Sequence, residues 1–170
     1  MSDFSSIFTK ELNEVDARAR RIAIRYHHEQ IDLAHFLLAF IEDPKESVRD
    51  LSTEKDPGLK ATQSRIEAFL DGFPRSRKSR IRGRDLRYTR RLATIIHHSR
   101  RRATRRGATR ISPARLFLAL ASEDFYSEAE RGFVGSRLLS PAGMTPRQIE
   151  RRLPPHMAGR DPGIMNRQSS

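Results

Sequence analysis

The stretch LAHFLLAFI, residues 33–41, decides the fold of this chain, and a close variant, ARLFLALA, follows at residues 114–121. Each stretch is apolar at nearly every position, and only His35 and Arg115 interrupt the pattern. A helix that is apolar on all sides belongs inside a protein rather than on its surface. The two stretches therefore predict two helices at the centre of one hydrophobic core.

The similarity between the two stretches extends outward as an internal duplication. With a constant offset of 80 residues and no gap, Phe8 corresponds to Tyr88 and Ile31 corresponds to Ile111. The same offset also pairs Thr9 with Thr89, Leu12 with Leu92, Val15 with Ile95, Ala23 with Ala103, Ala34 with Ala114, and Leu38-Ala39 with Leu118-Ala119. After a shift of three residues, Arg65-Ile66-Glu67 corresponds to Gln148-Ile149-Glu150. One structural unit is therefore present twice.

Each unit is predicted to be helical from its hydrophobic spacing. Apolar residues recur every three to five positions ahead of the first buried helix, which predicts an amphipathic helix ending near residues 26–30. In the second unit Gly107 provides a left-handed helix cap, and Ser112-Pro113 open the next helix. Shorter helices are predicted at about residues 47–51, 59–71, 127–138 and 146–153.

These elements predict an all-α fold, a compact bundle of about eight helices built from two pseudo-symmetric four-helix repeats. The double repeat covers residues 1–153, with repeat one at about 5–73 and repeat two at about 86–153. Residues 74–85, PRSRKSRIRGRD, have no apolar period and form a basic linker between the repeats. Residues 154–170 contain Pro, Gly and Ser with few apolar residues, which is typical of a disordered tail or a linker.

The net charge of +12 is concentrated in one segment of the chain. Residues 75–115 carry 16 basic side chains and a single acid, Asp85. Such a segment can attract nucleic acid, an acidic protein surface or anionic lipid, and charge alone does not choose among them. There is no cysteine, and no stretch approaches the roughly 20 apolar residues that span a bilayer. With no signal peptide at the N-terminus, we expect a protein of bacterial-type cytoplasm without a membrane partner.

Enzyme chemistry and metal binding are not predicted. The adjacent pairs His27-His28 and His97-His98 point away from each other on a helix, so neither pair can chelate one metal ion. The chain has no G-x-S-x-G sequence and no cysteine, and its acids fall mostly on polar helix faces or in loops. We therefore expect no catalytic residues, no cofactor and no metal.

The tandem arrangement resembles the N-terminal repeat of the Clp/Hsp100 family of ATP-driven unfoldases. Each unit has a long helix, a break, an isoleucine and then a strongly apolar helix of the family's -HLLLALL- form, here His35 to Ile41 and Arg115 to Ala121. The stretch from Phe69 to Pro74 resembles the leucine-proline that closes the first unit in that family. The resemblance covers about residues 5–153.

The resemblance implies a domain that sits on a linker above an AAA+ ATPase ring and binds substrate or adaptor proteins. In the type VI secretion ATPase the equivalent domain grips a helix of the contractile sheath. Relatives in Gram-positive bacteria recognise phosphorylated arginine through a Glu ahead of the His-Leu-Leu run, but the matching residues here are Ala34 and Ala114. The chain also lacks the G-x-x-x-x-G-K-[ST] sequence of an ATPase, so it would act as an accessory domain or a free-standing homologue.

Two groups of residues are candidates for contacting a partner. Arg100, Arg101, Arg105 and Arg106 crowd the end of one helix, where they form a solvated face, a docking surface for an acidic protein, or a nucleic-acid site. The second group is Phe4, Ile7, Phe8 and Tyr88, which either pack onto the core or border a groove for an amphipathic helix from a partner. No long apolar stripe demands a dimer, so we expect a monomer.

Overall fold

The computed structural model describes residues 3–43, 57–121, 138–139 and 151, and most of these residues are helical. The elements are α1 (Lys10–Arg25), β1 (Gln30–Ile31), α2 (Leu33–Glu42), α3 (Pro57–Asp71), β2 (Arg87–Tyr88), α4 (Arg90–Arg105) and α5 (Pro113–Ala121). Single 3-10 turns lie at Ser5–Ile7 and Gly83–Asp85. The predicted helical class is confirmed. The helices expected at residues 47–51, 127–138 and 146–153 fall outside the described residues, apart from helical positions 138 and 151.

Helices α1 and α4 begin in the same way, at residues that correspond under the offset of 80. Thr9 caps α1 by accepting a hydrogen bond from the Leu12 amide at 3.3 Å, and Thr89 caps α4 by accepting one from the Leu92 amide at 3.3 Å. A threonine N-cap satisfies one of the amides that a helix leaves without an intrahelical partner. The predicted amphipathic helices therefore start from local chemistry present in both units.

The two helices also end alike. His27 follows α1 with a φ of 61°, and Gly107 follows α4 with a φ of 76°. The next amide in each unit bonds back to the helix, from His28 to Ala23 at 2.8 Å and from Ala108 to Ala103 at 2.9 Å. This left-handed ending was predicted at Gly107 but not at His27, because a residue with a Cβ atom adopts a positive φ less readily than glycine.

Short parallel pairings connect the units, and hydrophobic periodicity did not predict them. Strand β1 pairs with β2, with Ile31 opposite Tyr88, and Phe8 pairs in parallel with Ile111. The Thr89 amide donates to the Ile31 carbonyl at 2.9 Å, and the Thr9 amide donates to the Ile111 carbonyl at 3.0 Å. The start of each unit is therefore bonded to the segment before the buried helix of the other unit.

The centre of the core is formed by the two apolar stretches, as their composition predicts. Eight consecutive residues of α2, from Leu33 to Phe40, are buried, and α5 buries most of its length. The ring of Phe40 packs edge-on against the ring of Phe117 with 5.3 Å between centroids. Burying one such side chain stabilises the fold by roughly 1.5–3 kcal/mol. Among the described residues, no helix is long and apolar enough to cross a membrane.

Candidate partner-binding site

A surface cleft of about 720 Å³ lies where the two units meet. One wall is α1, which contributes Asp16, Ala17 and Arg20. The opposite wall is the entry to α4, which contributes Leu86, Arg87 and Tyr88 together with Ala93. The cleft therefore combines side chains from both repeats and has small apolar residues between charged ones.

A hydrogen-bonded network holds Tyr88 at the cleft. The Tyr88 hydroxyl donates to Asp16 Oδ1 at 2.7 Å, and Arg20 Nη2 donates to the same hydroxyl at 2.7 Å. Arg20 Nε also donates to Asp16 Oδ2 at 2.9 Å, which closes the triangle. Burial, followed by the charge of Asp16, raises the pKa of Tyr88 well above its usual value. Tyr88 is therefore a neutral hydroxyl that bridges the two units.

The ionisation of Arg20 is reinforced within this network. Burial acts to lower the pKa of Arg20, but the hydrogen bond and the charge of Asp16 outweigh it and raise the pKa above its ordinary value. The Arg20 guanidinium also lies 5.3 Å from the centroid of the Tyr88 ring. Sequence analysis missed Asp16 and Arg20. The available signal was an acid within the apolar stripe of α1, followed four residues later by a base.

Phe4, Ile7 and Phe8 lie behind the cleft rather than on its surface. Their side chains are buried, and Phe8 has no exposed surface. The Phe4 ring packs against the rings of Tyr88 at 5.1 Å and His97 at 5.3 Å. Of the two roles left open by the sequence, core packing is the one that the structure shows for these three residues. Tyr88 is the member of the group that lines the cleft, so a role of the other three in binding a partner stays a prediction.

A second network joins the units at the start of α2. Asp32 is fully buried and accepts hydrogen bonds from Arg91 Nε and from the Thr89 hydroxyl, each at 2.7 Å. Arg91 Nη2 bonds the other carboxylate oxygen. His35 completes a capping box by accepting the Asp32 amide on Nδ1 at 2.8 Å. Sequence analysis identified Asp32 only as a helix start. Its counterpart in the second unit, Ser112, can cap a helix without a charge, so the charge of Asp32 was the available signal of a further partner.

His28 and His35 form a buried pair that sequence analysis did not predict. His28 Nδ1 lies 3.0 Å from His35 Nε2. Because His35 Nδ1 accepts the Asp32 amide, the proton of neutral His35 is on Nε2 and is donated to His28. Burial, followed by the proximity of His28, lowers the pKa of His35 to about 4. Both histidines contribute to packing, and no group of three potential metal ligands occurs within the described residues.

The predicted arginine cluster lies at the other end of α4 from Tyr88. Arg100, Arg101, Arg105 and Arg106 are all exposed. A helix of 16 residues is about 24 Å long, so the arginines and the cleft are distinct surfaces. Arg106 also lines a small pocket with Ser99, Arg102 and Arg115. Arg115 comes from α5, and sequence analysis had treated it only as a substitution within an apolar stretch.

Comparison with known proteins identifies relatives of this fold. Residues 7–131 match the family described as the Clp repeat (R) N-terminal domain. The N-terminal domain of Hsp104 from Candida albicans has 17% sequence identity and a TM-score of 0.63, with 85% of this chain and 87% of that chain covered.

Two further solved structures come from the Sci1 type VI secretion system of E. coli EAEC. The N-terminal domain of its ClpV1 ATPase has 20% identity and a TM-score of 0.62, with 85% of this chain and 82% of that chain covered. A structure described as a peptide from the SciI protein of the same system gives 20% identity and a TM-score of 0.62, with 85% coverage of both chains. At these identities the structural likeness demonstrates a shared fold.

Proposed function

This chain belongs to the Clp repeat N-terminal domain family, and we propose that it is a non-catalytic domain that recruits substrate or adaptor proteins to a Clp-type AAA+ unfoldase. The observation that carries the proposal is the cleft formed jointly by α1 and the entry to α4. The ATPase ring would supply the ATP hydrolysis, since this chain has no phosphate-binding loop sequence. The domain would work in the cytoplasm as a monomer.

We propose that the described helices are part of a pseudo-symmetric pair of four-helix repeats. Corresponding residues make corresponding contacts, which supports this architecture. Thr9 and Thr89 cap equivalent helices, and Phe8 and Tyr88 both pair with the segment before the other unit's buried helix. Because each unit pairs with the other, side chains of both repeats lie side by side at the cleft, where one partner can contact both.

The partner proposed for the cleft is an amphipathic helix. Ala17 and Ala93 supply small apolar surface, Arg20 and Arg87 supply positive charge, and Asp3 and Asp16 supply negative charge. A helix with apolar residues on one face and acids placed beside Arg20 and Arg87 would complement this distribution. The basic segment at residues 75–115 would steer such an acidic partner toward the domain, which accelerates association more than it strengthens the final complex.

A type VI secretion ATPase is a specific form of this proposal, and a general Clp unfoldase is the other. The similarity to the ClpV1 domain and to the structure described by its SciI peptide supports the first form. Recognition of phosphorylated arginine through a Glu before the apolar helix is not proposed. Ala34 and Ala114 occupy those positions and are buried.

The proposal is tested by blocking the cleft. Ala17 is exposed on the cleft wall of α1, so Ala17→Arg would fill the cleft with a long charged side chain. The matched control is Ala61→Arg, which makes the same substitution at an exposed site on α3 outside the cleft. Tagged wild type and both variants would be used to capture partners from native lysate, with and without nuclease, at low and physiological salt. We expect a protein partner with wild type and with Ala61→Arg, and its loss with Ala17→Arg.

Retention of the same partner by Ala17→Arg would contradict a role for the cleft. Recovery of nucleic acid alone would instead support the alternative function, a nucleic-acid-associated protein that binds through its arginine-rich segment. The exposed cluster of Arg100, Arg101, Arg105 and Arg106 favours this alternative. Reversing these four charges to Glu would abolish nucleic-acid binding, whose affinity depends steeply on salt. The same reversal would only slow association with a protein held in the cleft.

A further inference from the structure

A small pocket of about 30 Å³ lies between α4 and α5, on a surface distinct from the cleft. Its polar lining is Ser99 and Arg102 of α4, Arg106 directly after α4, and Arg115 of α5. Leu118 and Ala119 form the apolar part of the wall. Three guanidinium groups and one hydroxyl therefore line a space large enough for only one or two water molecules.

Two polar groups at this pocket are buried without a hydrogen-bond partner. Ser99 is only 4% exposed, and its Oγ atom has no partner. Nη1 of Arg115 is likewise buried and unpartnered. Buried polar groups are normally hydrogen-bonded, because an unsatisfied group retains the full cost of losing its water. Two unsatisfied donors at one pocket indicate a place for an acceptor that is not part of the described chain.

Two of the three guanidinium charges at the pocket, those of Arg106 and Arg115, lack a partner among the described residues. Neither Arg106 nor Arg115 forms a side-chain hydrogen bond or ion pair within the part of the chain that the structure describes. Burial, followed by the charge of Arg106, lowers the pKa of Arg115. Like charges held close together disfavour each other's charged forms, and a bound anion would relieve this repulsion. The missing acceptor is therefore expected to be negatively charged.

Comparison with the first unit shows that the fold does not require this chemistry. Under the offset of 80 residues, the positions of Ser99, Arg102 and Arg115 are occupied in the first unit by Ala19, Ile22 and His35. All three are buried and carry no side-chain charge at neutral pH. The same helix pair thus packs with neutral side chains in one unit, while the second unit maintains a cluster of cations.

We propose that Ser99, Arg102, Arg106 and Arg115 form a binding site for a single oxyanion, a phosphate or carboxylate group. Guanidinium groups would donate paired hydrogen bonds to the oxygens, and the Ser99 hydroxyl would donate one more. The size of the pocket admits the oxygens of one such group and leaves the remainder of its carrier in solvent. The site goes beyond the proposed function, since it binds an anion whether or not a partner occupies the cleft.

The test is an NMR titration of the protein with inorganic phosphate or with acetate. Each anion replaces chloride in the buffer, so that the ionic strength stays constant. We expect saturable shifts of the Ser99 amide and the Arg115 Nε–Hε signal with one-site behaviour for at least one of the two probes. Tighter binding of phosphate would identify a phosphate group as the ligand, and tighter binding of acetate a carboxylate.

Variants separate the pocket from general surface charge. Arg115→Gln should weaken binding roughly tenfold or more, as expected for loss of one charge-assisted hydrogen bond. Ser99→Ala should weaken binding by a smaller factor without changing the net charge. Arg110→Gln removes an exposed arginine that does not line the pocket and serves as the matched control, with less than about a twofold effect. Equal losses in Arg110→Gln and Arg115→Gln, or non-saturable shifts with both probes, would overturn the proposal.

Discussion

Replacing Asp32 with Ser would test how strongly the two units depend on each other. Asp32 has no exposed surface and caps α2 of the first unit. Its carboxylate also accepts hydrogen bonds from Arg91 and Thr89 of the second unit. The counterpart of Asp32 in the second unit is Ser112, whose Oγ lies 3.4 Å from the Arg115 amide at the start of α5. Ser at position 32 can therefore retain a cap while removing the carboxylate that binds Arg91.

The expected loss is large because the ion pair has one fully buried member. Removing one partner of a buried ion pair costs about 3–5 kcal/mol, whereas a lost N-cap costs about 1 kcal/mol. The Arg91 side chain is 31% exposed, so water can compensate part of its lost pairing. We therefore expect Asp32→Ser to lower the free energy of unfolding by about 3 kcal/mol, and Asp32→Ala by about 1 kcal/mol more.

Urea unfolding followed by far-ultraviolet circular dichroism would measure these changes. Arg91→Met and the double variant complete a cycle, and we expect a coupling energy of about 2 kcal/mol between the two residues. Asp43→Ser is the control, since Asp43 is 44% exposed in its ion pair with Arg18 and should change stability by less than about 1 kcal/mol. Additive losses in the double variant, with coupling below about 0.5 kcal/mol, would refute the inference that this pair joins the units.

Three further predictions concern single positions. Gly107→Ala should lower stability by about 1 kcal/mol in thermal melts. A Cβ atom at this position would meet no atom within 4 Å, so only the φ of 76° opposes the substitution. An unchanged melting temperature would contradict this prediction. The pKa of His35 falls from 6.5 to about 4 on folding, so the folded state binds fewer protons than the unfolded state between these pH values. The free energy of unfolding therefore decreases as the pH is lowered through this window, by up to about 3 kcal/mol. Urea unfolding of wild type and His35→Gln between pH 7 and 5 would measure this loss of stability, which should be smaller in the variant. Equal pH dependence of the unfolding free energy in the two proteins would exclude His35 as its source. Tyr88→Phe should cost about 1 kcal/mol, because it removes the hydroxyl between Asp16 and Arg20, and a denaturation midpoint equal to wild type would argue against the network.

Sequence reasoning succeeded where a feature depends on neighbouring residues. The buried helices α2 and α5, the break after α1 and the glycine ending of α4 follow from spacing and capping within a few positions. Helix α3 was predicted to start at residue 59 and starts at Pro57. These features come from contacts between residues three or four apart, which hydrophobic periodicity reports directly.

The same reasoning failed for polar groups inside the core. The apolar stripe of α1 located its buried face but did not show that Asp16 on that face meets Tyr88, 72 residues away. Nor did the adjacent histidines suggest that His28 would pair with His35. Periodicity states which face is buried, whereas the partner of a buried polar group depends on how separate elements pack.

The sequence by itself determined the helical class, the two apolar central helices and the strongly basic middle segment, and it predicted a duplicated unit. Only the tertiary structure decided which side chains of one unit meet the other. Arg91 reaches Asp32 across 59 residues, Tyr88 closes a cleft with α1, and Arg115 joins the arginines of α4 around Ser99. The physical reason is that helix formation is local, whereas each of these sites requires groups that only packing brings together.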